Sequence, residues 1–128
     1  MNVTKRIGNA YQADTIQWTN NTGADTVRNQ VVLISTGTNA GLVGICEDAI
    51  EDGATGTLVV KLKARMPKEA CAMSQGYCAQ IATDGTSLTM GGTASGLYGV
   101  GMICDDQLSS ASYVDVDINF GNHAFYVW

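Results

Sequence analysis

Among the groups in this sequence that could act as bases, thiol nucleophiles or metal ligands are one histidine, four cysteines and twelve carboxylates. Acyl transfer or thiol catalysis needs an imidazole held against a hydroxyl or thiol. His123 lies near the C-terminus in Gly121-Asn122-His123-Ala124, in a terminal segment with nothing nearby that reads as a pocket wall. Zinc takes thiolates or imidazoles in close pairs, and Cys71 and Cys78 are too widely spaced for that pattern. Glu47, Asp48, Asp105, Asp106, Asp115 and Asp117 are candidate cation ligands, but no Asp-x-Asp-x-Asp-Gly loop joins them, and they read as solvated acidic turns. Gly96-Leu97-Tyr98-Gly99-Val100-Gly101 is not followed by a helical pattern, and no phosphate-binding Gly-x(4)-Gly-Lys-Ser/Thr loop appears. These readings assign no catalytic residue, no metal and no cofactor, so the expectation is a protein that is not an enzyme.

The cysteines Cys46, Cys71, Cys78 and Cys104 carry a different expectation. The opening residues MNVTKRIGNAYQADT lack the apolar stretch of a secretion signal, which suggests a chain made and kept in the cytosol. Reduced thiols packed as small hydrophobes are expected there. The net charge of −5 argues against a nucleic-acid partner, because phosphate binding rests on clustered basic residues. The one local basic cluster is Lys61, Lys63, Arg65 and Lys68, whose first three alternate onto one side of a strand and read as a solvated strand edge. No stretch reaches the roughly 18 to 20 apolar residues of a bilayer span, so no membrane partner is expected.

The elements that must position these groups are strands. Thr15-Ile16-Gln17-Trp18-Thr19 alternates polar and apolar, as do Leu58 to Lys63 and Tyr113 to Phe120, the last with Val114, Val116, Ile118 and Phe120 inward. Between the runs lie turn signals such as Asn20-Asn21-Thr22-Gly23 and Glu51-Asp52-Gly53, and Asp84-Gly85 marks a hairpin. Pro67 to Met73 reads as one or two turns of helix, closed by Gly76.

The sequence also repeats itself. Val43-Gly44-Ile45-Cys46-Glu47-Asp48 resembles Val100-Gly101-Met102-Ile103-Cys104-Asp105-Asp106. With Cys46 set against Cys104, Leu58, Val60 and Leu62 fall against Val116, Ile118 and Phe120. Each unit has too few residues to bury its own apolar face. The expectation is an all-β fold, a small β-barrel or sandwich of two similar halves, with units at about residues 29–62 and 76–120 in a single domain over 15–128. Cys46 and Cys104 are then expected at equivalent interior positions. Residues 1–14 form an extended N-terminal arm in this reading.

The run Gly41-Leu42-Val43-Gly44-Ile45-Cys46-Glu47-Asp48-Ala49-Ile50-Glu51-Asp52-Gly53-Ala54-Thr55-Gly56-Thr57-Leu58-Val59-Val60 resembles the capsid cement, or head decoration, family of tailed bacteriophages, and the likeness continues through Met66-Pro67-Lys68 to the Tyr98–Phe120 copy. The resemblance implies a lambda-type decoration fold, a homotrimer, and attachment to the major capsid protein on the outside of an expanded capsid, which it stabilises against internal pressure. It implies a virion location after synthesis in the host cytoplasm. It also implies capsid contact by the arm, for which Val3, Lys5, Arg6, Ile7 and Tyr11 are the candidates, with a disordered terminus as the plain alternative. The tail Ala124-Phe125-Tyr126-Val127-Trp128 departs from the family, and its Phe125, Tyr126 and Trp128 are expected to pack on the body or at a subunit interface.

Two rival readings remain. A small barrel that binds ligands or glycans offers Trp18, Tyr98 or Trp128 as stacking platforms, and an enzyme offers Cys78 or Cys104 as nucleophile.

Overall fold

Alternating apolar residues give strands because successive side chains point to opposite faces and one face can be buried. In the computed structural model, which describes residues 1–7, 14–35, 37, 40–90 and 99–119, these runs become nine strands, and no helix occurs among the described residues. They are β1 (Lys5–Arg6), β2 (Asp14–Thr19), β3 (Val31–Leu33), β4 (Val43–Cys46), β5 (Thr55–Pro67), β6 (Cys78–Ile81), β7 (Leu88–Met90), β8 (Gly99–Ile103) and β9 (Tyr113–Ile118). One curled antiparallel sheet runs β3-β4-β5-β9-β8-β6-β7, and β1 and β2 pair with β5 off that path. The fold is all-β.

The organising element is β5, which at 13 residues is the longest strand. Its first part pairs with β2 and β4, its second part with β1 and β9. The Lys61, Lys63, Arg65 run therefore lies inside the sheet and not on a solvated edge. Two apolar clusters form around it. Trp18, Val32, Ile34, Cys46, Ile50, Leu58 and Val60 make the smaller, while the larger gathers Leu62, Ala64 and Met66 with Ile103, Val114, Val116 and Ile118. Val43, Ile45 and Val59 join the larger cluster, so the sheet around β4 is covered on both faces.

Backbone bonds in the first half of the chain have counterparts in the second. Cys46 N–H donates to the Gln30 carbonyl and its carbonyl accepts from Asn29, as Ile103 donates to Tyr77 and accepts from Gly76. Asn29 and Gly76 share a left-handed backbone, with φ of 68° and 88°. Glu47 donates to Thr57 as Cys104 donates to Asp115, and the mutual bonds of Thr26 and Ile50 match those of Met73 and Gln107. The expected equivalence of Cys46 with Cys104 is thus corrected by one residue, to Cys46 with Ile103. The cause is a single extra residue: Ala54 bonds Glu51 as Ala111 bonds Leu108, but Thr55 opens β5 directly whereas Ser112 intervenes before Tyr113 opens β9.

The expected helix at Pro67–Met73 does not form. Pro67 ends β5, Lys68 and Met73 make isolated bridges to Leu88 and Gln107, and Met73 exchanges both backbone bonds with Gln107. The buried Lys68 ammonium donates to the Glu69 and Cys71 carbonyls at 3.0 and 2.7 Å, taking acceptors that a helix would use internally. Asn20 plays the same part earlier, its buried amide donating to the Ala24 and Ile50 carbonyls. The Asp84-Gly85 hairpin forms between β6 and β7, with Gly85 at φ 72°. The Thr86 N–H on the Asp84 carboxylate holds that group below its ordinary range.

Candidate functional site

The N-terminal segment is the surface element to which the family resemblance assigns contact, and it is stitched to two parts of the body. Met1 O accepts from Val31 N and Val3 N donates to Asn29 O; then Thr4 N donates to Arg65 O and Ile7 N to Lys63 O. The short strand β1 results, with Lys5 opposite Arg65 and Arg6 opposite Ala64. This pairing orients each side chain in turn. Val3 points into the larger core and is 5% exposed, so it is part of the interior rather than free surface.

Arg6 folds back over the body. Its Nε donates to Asn29 Oδ1 at 3.0 Å and its Nη1 to Glu47 Oε2 at 2.9 Å, while its buried Nη2 finds no partner among the described residues. A guanidinium held in this way fixes the entry of the chain onto β5. Lys5 and Ile7 are exposed. Tyr11, Phe125, Tyr126 and Trp128 lie outside the described residues.

Beside β1 stands a charged row on β5 and β9. Arg65 Nε donates to Asp115 Oδ1 at 2.9 Å, and Lys63 is the cross-strand partner of Asp117. The Asp115 hydrogen bond and charge raise the Arg65 guanidinium above its ordinary value. Asp105 turns inward to accept from Asp115 N and from Gln107 Nε2 at 2.6 Å, so this carboxylate organises its own loop.

The thiols are free. Burial raises Cys46 above its ordinary value against the opposing hydrogen bond to Thr26. Burial pushes Cys78 up to about 11. Burial also raises Cys104, more than the nearby Lys63 charge lowers it. A nucleophilic cysteine needs a depressed value, so neither Cys78 nor Cys104 supports the enzyme reading. Among the described residues no three His, Cys, Asp or Glu side chains gather as a metal set. Trp18 is buried in the smaller core and offers no stacking face to a sugar, while Tyr98 and Trp128 fall outside the described residues.

Sequence reasoning missed the large apolar side chains that stand in solvent at strand ends and turns. Tyr77, Leu108 and Tyr113 are 56, 75 and 48% exposed. In the bonding correspondence above they occupy the places of Gln30, Glu51 and Thr55, so setting the two segments in register was the signal that would have found them.

A family model described as phage cement protein matches residues 10–118, most of the chain and every described strand from β2 to β9. No curated protein and no solved structure matches it.

Proposed function

The chain belongs to the phage cement protein family, a family of structural, capsid-associated proteins, and from that premise we propose that it binds the outer surface of an expanded capsid, through the major capsid protein, and holds the shell against internal pressure. The observation that carries the reading is the match over residues 10–118. The physical character of the chain agrees with it. Raised thiols are poor nucleophiles, and the buried polar side chains Lys68 and Asn20 are used to fasten turns.

A cement protein works by adding many weak, identical contacts, so that rupture requires several to fail together. In this proposal the contact surface of the N-terminal segment is Lys5 and Ile7, continued by Tyr11, and Val3 and Arg6 stand behind them as the groups that fix the strand. The three-fold association implied by the lambda-type likeness belongs to the same proposal, with Phe125, Tyr126 and Trp128 at that interface. The site of action is the capsid exterior, after synthesis in the host.

Undecorated expanded heads heated with and without the purified protein test the reading. The protein is expected to raise the temperature at which heads rupture. An unchanged rupture temperature at saturating protein contradicts it.

A further inference from the structure

The two sets of matching backbone bonds differ at one edge. In the second set the outer side of β5 is covered, because the Lys63 and Arg65 carbonyls accept from Ile7 and Thr4. In the first set the strand in that place is β2. It pairs with β5 on one side, and among the described residues no strand pairs with the other.

Which backbone groups face out follows from the alternation of an antiparallel ladder. The Thr57 carbonyl accepts from Glu47 on the β4 side, so Gly56 and Leu58 turn toward β2. Their partners Trp18 and Ile16 turn toward β5. The N–H and C=O groups of Thr15, Gln17 and Thr19 are therefore directed away from the sheet, and all three residues are exposed.

Protein edges of this kind are ordinarily guarded by lysine, proline, a bulge or brevity. The other edge strands, β3 and β7, have three residues each, and each is partly capped, Val31 N donating to Met1 O and Glu69 N to Leu88 O. β2 has six, and from Thr15 to Thr19 it carries no charge and no proline. Its register irregularity lies at the far end, between Asp14 and Thr15.

The order of side chains in this edge identifies what fits it. Read from Gln17 in either direction, Thr15-Ile16-Gln17-Trp18-Thr19 is chemically symmetric: an apolar residue, then a threonine. An antiparallel copy centred on Gln17 sets Thr15 against Thr19, Ile16 against Trp18 and Gln17 against itself. Like meets like, and each outward N–H and C=O gains a partner. We propose that β2 pairs with β2 of a second copy of this chain, antiparallel and centred on Gln17, to give a two-fold dimer with one sheet running through both subunits. This contact stands on the β2 edge alone and does not depend on the capsid reading. It uses a surface separate from the C-terminal residues assigned above to three-fold association.

Cysteine cross-linking of the full chain tests it. Residues in a hydrogen-bonded antiparallel pair have Cα atoms about 5.5 Å apart, within disulfide reach. Under mild oxidation Gln17→Cys is expected to form a covalent dimer at least tenfold faster than Thr57→Cys. Thr57 adjoins Gln17 through a 2.9 Å side-chain bond but lies on the inner strand β5. In sedimentation, Gln17→Pro removes one outward N–H, no backbone bond within the chain and one exposed side-chain bond to Thr57, so it is expected to keep the parent's circular dichroism and lose the two-fold step of its self-association. Equal cross-linking at positions 17 and 57, a parent chain that is monomeric at every concentration, or a Gln17→Pro chain that associates like the parent overturns the proposal.

Discussion

Gly44 and Gly101 hold matching stations in two strands, Gly44 opposite Val32 and Gly101 opposite Ala79, yet what closes over each is different. A Cβ on Gly44 comes within 2.6 Å of Leu58 Cδ1, the end of a rotatable side chain. A Cβ on Gly101 runs into the backbone carbonyl of Asp117, which the β8–β9 ladder holds in place.

The substitutions therefore differ in cost. Gly44→Ala is expected to lose about 1 kcal/mol, and Gly101→Ala about 3 kcal/mol or more, since overpacking against backbone has no inexpensive relaxation. Equilibrium urea denaturation of the two variants checks this. Equal losses contradict the account.

Val3 and its neighbours on β1 separate folding from binding. Val3→Ala is expected to destabilise the fold by about 1–2 kcal/mol, because the side chain is buried in the larger core. Lys5→Glu and Ile7→Asp, at exposed positions, are expected to leave the melting temperature nearly unchanged and to weaken binding to expanded heads. Thermal denaturation alongside head binding distinguishes the two effects, and a Val3→Ala chain as stable as the parent contradicts the placement of Val3.

Gln80 is fully buried, and neither polar atom of its side chain has a hydrogen-bond partner among the described residues. Its counterpart in the first bonding set is Leu33. Leaving a buried amide unpaired costs about 1–3 kcal/mol. Gln80→Leu, close in size, is expected to raise stability by about 1 kcal/mol or more, read as a higher denaturation midpoint with an unchanged slope. A destabilised variant contradicts the assignment of Gln80 as an unsatisfied group.

Cys78 predicts an alkaline limit. Its thiol is raised by burial from 9.0 to about 11, so the folded chain binds this proton more tightly than the unfolded chain. The resulting stability is complete below pH 9 and is lost as pH rises toward 11. Replacement by alanine is expected to flatten that part of the stability profile. In the native protein a thiol reagent is expected to modify the partly exposed Cys71 and Cys104 well before the buried Cys46 and Cys78. Rapid native-state labelling of Cys78 contradicts the burial argument.

Much of this fold was readable in advance where period and burial agree. Tyr113 to Ile118 alternates cleanly and became β9, and Asp84-Gly85 supplied its own turn chemistry and became the β6–β7 hairpin. The strand β1 had no such signal, since Lys5 and Arg6 are adjacent charges and their pairing partner lies far along the chain at Ala64 and Arg65. Pro67 to Met73 has the local look of a helix start, but a lysine side chain and a distant strand take its backbone groups instead. The match of Cys46 to Cys104 failed by one residue because identical side chains outweighed the extra Ser112, which only the bonding pattern reveals. For the candidate site, the family resemblance drew attention to the N-terminal segment, but Val3 and Arg6 needed three dimensions to be recognised as groups facing the body.

The central claim is that this chain is a capsid cement protein, and co-sedimentation with phage heads tests it most directly. Purified protein is mixed with expanded, undecorated heads and with unexpanded heads, and each is pelleted. The account predicts saturable binding to expanded heads at a fixed number of copies per head, with little on unexpanded ones. Protein that stays in the supernatant at every ratio, or pellets equally with both kinds of head, contradicts it.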